Sequence, residues 1–88
     1  MTARIEEISR GRTIALRLIG RIQSQHLDDL KALTSGRAAH VTLDLHEVTL
    51  VDIEVVRFLI SCEARGLKVL NCPRFIRQWM IREQSDQK

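Results

Sequence analysis

A chain of 88 residues has room for one compact domain with a thin hydrophobic core. Its 44% hydrophobic and 28% charged residues argue against disorder, and its apolar runs are too short for a membrane-spanning helix. Fourteen Lys and Arg residues against 11 Asp and Glu residues give a net charge of +3, a mild excess that leaves nucleic acid open as a partner.

The N-terminus and the cysteines predict the compartment. The sequence does not begin with a charged-then-apolar segment of the signal-peptide type, so we expect a cytoplasmic protein without membrane insertion. In that compartment, Cys62 and Cys72 are expected to be packed thiols rather than a disulfide.

The first two segments predict an antiparallel hairpin. A short apolar–polar segment at residues 5–8 is followed by a turn at residues 9–11. Residues 13–22 then alternate, with Ile14, Leu16 and Leu18 on one face, as in a strand with one buried side.

The apolar period changes at residues 23–35, which predict a helix of about three turns. Its apolar face consists of Leu27, Leu30 and Leu33. Ser24 is the predicted N-cap, and Gly36 is expected just past the end of the helix.

A strand and a helix follow in the second half of the chain. Residues 41–45 alternate, with Val41, Leu43 and Leu45 expected to face the core. Residues 47–49 are expected to form a loop, after which Asp52 is the predicted N-cap of a helix that runs to about residue 65.

This second predicted helix has two distinct faces. The buried face is expected to consist of Val55, Val56, Leu59, Ile60 and Cys62. A polar stripe at helical spacing is formed by Glu54, Arg57, Ser61 and Arg65.

The C-terminal segments are a strand at residues 67–71 and a helix that begins at Pro73. The predicted apolar stripe of the helix consists of Phe75, Ile76, Trp79 and Met80. Arg74, Arg77 and Arg82 lie outside that stripe, where they form a solvated face or, less commonly, contact phosphates. Residues 84–88 are expected to form a polar tail.

The alternation of strands and helices predicts one α/β domain over residues 1–88, with its core at about residues 5–83 and a partly parallel sheet. The element order is strand, strand, helix, strand, helix, strand, helix.

No motif in the sequence predicts catalysis, a metal or a cofactor. His26, His40 and His46 lack zinc-site spacing, so they are expected to be solvated or hydrogen-bonded. The four glycines form no phosphate-binding loop, and capping explains Asp52 without chemistry.

The segment VTLDLHEVTLVD at residues 41–52 resembles the STAS domain, the family of bacterial anti-sigma factor antagonists. That family has a run similar to V-x-L-D-L-x-x-V-x-x-(I/V)-D before its second helix. Upstream, LIGRI at residues 18–22 is similar to the end of the family's strand before its first helix. Downstream, GLKVLNCP at residues 66–73 is similar to its last strand-to-helix step.

The resemblance implies a four- or five-stranded mixed sheet with three helices packed on it. It also implies a partner-binding surface at the N-terminus of the second helix, where an anti-sigma kinase phosphorylates a serine. The family's Asp corresponds to Asp52 and its phosphoacceptor serine to Glu54, while Ile53 and Val55 replace the flanking Ser and Gly. Glu54 therefore either mimics the phosphorylated form or marks a lost switch.

These observations predict a non-enzymatic, anti-sigma factor antagonist-like interaction domain. Its expected partner is a protein, either an anti-sigma factor of the serine-kinase type or a transporter ATPase. Nucleotide binding, which some family members are thought to have, and oligomerisation remain open. The predicted partner-binding residues are Asp52, Glu54, Arg57, Ser61 and Arg65. The alternatives are a STAS-like cytoplasmic subunit of an ABC-type transporter and a small basic nucleic-acid-binding domain.

Overall fold

The computed structural model describes residues 3–35 and 40–86, apart from the side chain of residue 86. A short 3₁₀ helix at Ser24–His26 precedes the first α-helix. The strands and α-helices are β1 (Arg4–Arg10), β2 (Thr13–Ile22), α1 (Leu27–Thr34), β3 (Val41–Val51), α2 (Ile53–Ala64), β4 (Lys68–Leu70) and α3 (Arg74–Asp86). This order confirms the predicted α/β architecture with three α-helices.

The four strands form one mixed sheet in the order β1-β2-β3-β4. The β1–β2 pair is antiparallel, as expected for a hairpin, and both β2–β3 and β3–β4 are parallel. Parallel neighbours need long crossovers, which α1 and α2 supply. The described strands thus place β1 and β4 at the two edges of the sheet.

The core lies between one face of this sheet and the helices. Leu16, Leu43 and Leu59 have no exposed surface and belong to one apolar cluster that also contains residues of α1 and α3. The opposite face of β3 carries Thr42 and Asp44, which remain partly exposed. The alternation predicted for β2 and for the first half of β3 is therefore confirmed.

The prediction of a loop at residues 47–49 is wrong, because β3 continues through them to Val51. Two register shifts against β2 occur in this half of the strand, where β3 contains one more residue than β2 each time. Such bulges bend a strand and break its two-residue alternation. The buried positions after Leu45 are accordingly Val48 and Val51, spaced by three.

The first helix is shorter than predicted. Residues 24–26 form a 3₁₀ helix, and α1 has only eight residues. Gln23 is the N-cap of the 3₁₀ helix and His26 is the N-cap of α1, so the prediction of Ser24 as N-cap is wrong. The Gln23 backbone N–H donates a hydrogen bond to Nδ1 of His26 at 3.0 Å. Leu27 and Leu30 are buried and Leu33 is partly buried, while Gly36 lies outside the described residues.

The buried face of α2 differs from the prediction at two positions, since Phe58 is buried whereas Ile60 is only partly buried. Its end is set by Gly66, whose φ of 97° suits a residue without a side chain. The Leu67 N–H donates to the Cys62 carbonyl at 3.0 Å and satisfies one of the last helical carbonyls.

The predicted apolar stripe of α3 is correct at Ile76 and Met80, which are buried, and Trp79 is partly buried. Phe75 is 47% exposed, so its assignment to the stripe is wrong. Helix α3 also continues to Asp86, into the region where a polar tail was expected, and residues 87–88 lie outside the described part of the chain. Across residues 3–35 and 40–86, the helices are too short or too polar to cross a membrane.

Candidate partner-binding surface

Asp52 fixes the point where β3 turns into α2. Its backbone is extended, and its Oδ1 accepts a hydrogen bond from the Val55 N–H at 3.0 Å. The first N–H groups of a helix have no intrahelical partner, so this bond stabilises the first turn of α2. The predicted capping role of Asp52 is thereby confirmed.

The second oxygen of Asp52 connects α2 to a distant part of the chain. Its Oδ2 accepts a hydrogen bond from the Ser24 N–H at 2.7 Å, across 28 residues of sequence. One carboxylate therefore holds the start of the 3₁₀ helix and the start of α2 together. We call this junction, formed by Asp52, Ser24 and the first turn of α2, the α2 corner.

Glu54 lies on the solvent side of the α2 corner. Its side chain is 55% exposed, and its Oε1 lies 3.4 Å from Nη1 of Arg57, one turn along the helix. The Arg57 Nε lies 3.4 Å from Oε1 of Glu83 in α3. Arg57 thus bridges two carboxylates from different helices, although exposed pairs of this kind stabilise a fold by less than about 1 kcal/mol.

The polar stripe of α2 is exposed along its whole length. Glu54, Arg57, Ser61 and Arg65 are all exposed in the structure, whereas Val55, Val56 and Leu59 on the opposite side are buried. The structure therefore brings these four predicted residues together on one accessible face. Asp52 is partly exposed at the N-terminal end of that face.

One contribution to this surface was not predicted from the sequence. Glu83 reaches Arg57 from the last helix, across 26 residues of sequence. This contact depends on long-range packing, and no local sequence signal indicates it.

A bidentate ion pair supports the stripe from the side of α3. The Arg77 guanidinium donates to both carboxylate oxygens of Glu63, at 2.9 and 3.0 Å. These hydrogen bonds raise the pKa of Arg77, so it stays charged. Arg77 therefore ties α3 to α2 instead of adding to a free basic surface.

The first turn of α2 contains no hydroxyl side chain. Residues 51–57 lack Ser, Thr and Tyr, and the nearest hydroxyls belong to Thr49 in β3 and Ser61 two turns along α2. The carboxylate of Glu54 places one negative charge in the first turn of α2, where the helix dipole favours it.

The polar end of β4 is held by Asp44. Its Oδ1 accepts hydrogen bonds from the His46 N–H at 2.9 Å and from Nδ2 of Asn71 at 3.2 Å. The His46 hydrogen bond, opposed by partial burial and assisted by Asn71 and Arg17, lowers the pKa of Asp44. This carboxylate fixes Asn71 at a φ of 54°, the turn that leads into α3.

The thiols and histidines show no reactive constellation in the part of the chain that the structure describes. Cys62 is fully buried, and burial raises its pKa to about 11, while burial also raises the pKa of Cys72. Both thiols are free. In residues 3–35 and 40–86, no three His, Cys, Asp or Glu side chains are grouped so that they could hold a metal ion.

No protein-family model and no curated protein matches this sequence. Solved structures are similar to it, among them the following two. The first, described as the crystal structure of Mglu, superposes with a TM-score of 0.60 at 26% identity. The alignment covers 78% of this chain and 20% of that chain, so the present chain spans about a fifth of the length of Mglu.

The second similar structure is an uncharacterized protein from Shewanella loihica PV-4, described as having a SpoIIAA-like fold. It superposes with a TM-score of 0.47 at 11% identity and covers 94% of this chain and 77% of that chain. The four-stranded mixed sheet with three α-helices agrees with the architecture that the STAS resemblance implied, and the chain is a small α/β domain.

Proposed function

We propose that this chain is a non-enzymatic protein-interaction domain of the anti-sigma factor antagonist type, and that its partner binds at the α2 corner. The observation that carries the proposal is the double hydrogen bond accepted by Asp52. These bonds hold the start of the 3₁₀ helix and the start of α2 in one arrangement before any partner binds. Pre-organisation of this kind lowers the entropic cost of binding.

The chemistry of the surface favours a protein partner over nucleic acid. Glu54, Arg57, Ser61 and Arg65 supply charges of both signs and hydrogen-bonding groups on one exposed face. Polar groups of this kind form the rim of protein interfaces. Arg57 and Arg77 are already engaged by carboxylates, which reduces the positive charge available to phosphates.

Glu54 is proposed to give the domain a constant binding state. A serine at this position would become negatively charged only on phosphorylation. The Glu54 carboxylate is always charged and carries about half of the negative charge of a phosphoserine. Its contact with Arg57 partly neutralises it. The domain is therefore expected to bind its partner without a phosphorylation cycle.

The small size of the domain agrees with a role in recognising a partner protein. The portion of Mglu that resembles this chain is a fifth of a longer protein. A small domain with a rigid corner, and without a reactive constellation in its described part, is suited to recognition rather than catalysis. We expect it to act in the cytoplasm.

The proposal is tested by titrating the domain with serine-kinase-type anti-sigma factors from the same genome. Glu54→Lys reverses the charge at the corner and is expected to weaken binding at least tenfold, about 1.4 kcal/mol. Glu54→Ser is expected to bind and to become sensitive to phosphorylation. The control is Gln78→Lys, because Gln78 is exposed on α3 and takes part in none of the hydrogen bonds of the corner. Equal affinity of the wild type and both Glu54 variants for every partner would rule out this surface.

A further inference from the structure

A groove lies between the edge strand β1 and helix α1. Because β1 is the first strand in the sheet order, its outer edge has no partner strand within the described residues. The groove beside it is open to solvent and is lined by Ile5, Glu7, Asp29, Ala32 and Leu33. It shares no residue with the α2 corner.

Helix α1 covers β1 only in part, so residues of β1 remain accessible beside the groove. The buried residues of α1 are Leu27, Leu30 and Thr34. Ile5 pairs with Leu18 and is only partly buried, and Leu33 of α1 is partly buried as well. These two side chains leave an apolar floor along the helix side of the edge strand.

The walls of the groove carry negative charge. Glu7, two residues after Ile5 on the same face of β1, pairs with the buried Leu16 but is itself exposed. Glu7 and Asp29 form no ion pair with any other residue that the structure describes. On the opposite face, in contrast, Glu6 lies 3.4 Å from Arg4 and 3.8 Å from Arg17. A chain of net charge +3 therefore has an acidic, partly apolar groove at one edge.

We propose that this groove binds an extended segment of another protein, in which an apolar residue and a Lys or Arg are two positions apart. A segment that adds to the free edge of β1 pairs through its backbone and directs alternate side chains to the helix side. That spacing of two matches Ile5 and Glu7. The apolar side chain packs on Ile5 and Leu33, and the cation lies between Glu7 and Asp29.

The probe is the peptide acetyl-TTVTRTT-amide, whose Val and Arg are two positions apart. Its matched control is acetyl-TTVRTTT-amide, which has the same composition but directs the Arg to the other face, where Arg4 and Arg17 lie. Titration followed by ¹H–¹⁵N correlation spectra is expected to shift the amides of residues 5–9 and 29–33 with the first peptide, and to shift them much less with the second. Added salt is expected to weaken the binding.

Charge variants locate the interaction. Replacing both carboxylates, Glu7→Gln with Asp29→Asn, is expected to raise the Kd about three- to tenfold, as for two exposed ion pairs. The control Asp28→Asn with Glu47→Gln removes the same net charge outside the groove and is expected to leave the Kd unchanged. Asp29→Asn alone, on the exposed surface of α1, serves as the readout in the event that the double variant does not fold.

The proposal would be overturned by equal binding of the two peptides, by an unchanged Kd for the groove variants, or by amide shifts confined to the α2 corner. A concentration-dependent dimer in sedimentation, with shifts at residues 5–9 in the absence of peptide, would also overturn it, because a second copy of the chain would then occupy the edge.

Discussion

Asp52 is predicted to contribute to stability through two separable hydrogen bonds. Asp52→Ala removes both the cap on the Val55 N–H and the bond from the Ser24 N–H. An N-cap is worth about 1 kcal/mol, and a hydrogen bond to a partly exposed carboxylate about as much again. We therefore expect the free energy of unfolding to fall by about 2 kcal/mol, which for a domain of this size lowers Tm by roughly 8 to 16 °C.

Asp52→Asn separates the two contributions. The Asn side chain retains one oxygen, which can cap Val55, but it presents an N–H₂ group to the Ser24 N–H. The expected loss is therefore about half of that for Asp52→Ala, near 1 kcal/mol. Asp28→Asn, an exposed change in the first turn of α1, is the control and is expected to stay within about 0.5 kcal/mol of the wild type.

The assay is chemical denaturation followed by circular dichroism, with the slopes compared to verify two-state behaviour. Asp52→Ala as stable as the control would refute the capping role. Asp52→Asn as stable as the wild type would refute the contribution of the contact to Ser24. Equal losses in both variants would show that the two bonds do not contribute separately.

Three further predictions concern the core, the end of β4 and the thiols. Leu59→Ala, at a residue without exposed surface, is expected to cost about 2 to 5 kcal/mol in denaturant titration, and a loss under 1 kcal/mol would contradict the packing. The pKa of Asp44 is lowered from its usual 3.8, so the stabilisation by its carboxylate is complete above that value and is lost as pH falls through the lower pKa of the folded state. Asp44→Asn should therefore destabilise the domain at neutral pH, and its difference in stability from the wild type should vanish in strong acid. A difference that stays constant with pH would refute this titration. Native Cys62, with a pKa near 11 and no exposed surface, is expected to alkylate more slowly than Cys72 at pH 8 by mass spectrometry, and denaturant should abolish that difference; faster native labelling of Cys62 would contradict its burial.

Local patterns predicted the elements whose signals are contained in a few neighbouring residues. The alternation of β2 and the cap at Asp52 each depend on side chains within a few positions, and both occur where expected. The second half of β3 could not be recognised, because two bulges change the spacing of its buried residues from two to three. A polar segment with Glu47 and Thr49 then resembles a loop in sequence although it is paired in the sheet.

The residues of the candidate surface could be predicted from the sequence, but the long-range contacts that hold them in place could not. The stripe from Glu54 to Arg65 follows from helical periodicity alone. The bond from Ser24 to Asp52 and the contact of Arg57 with Glu83 span 28 and 26 residues, so they depend on how the elements pack. The groove beside β1 has the same origin, since residues of β1 and α1 line it together.

The central claim is that a protein partner binds at the α2 corner, and site-specific photo-crosslinking tests it most directly. A photoreactive amino acid is placed at Ser61, exposed on the α2 stripe, and in a matched variant at Gln78, exposed on α3. With a partner identified by titration and added near its wild-type Kd, we predict crosslinks from position 61 that Glu54→Lys strongly reduces, and none from position 78. Crosslinks from position 78 alone, or crosslinks from position 61 that Glu54→Lys leaves undiminished, would contradict the account.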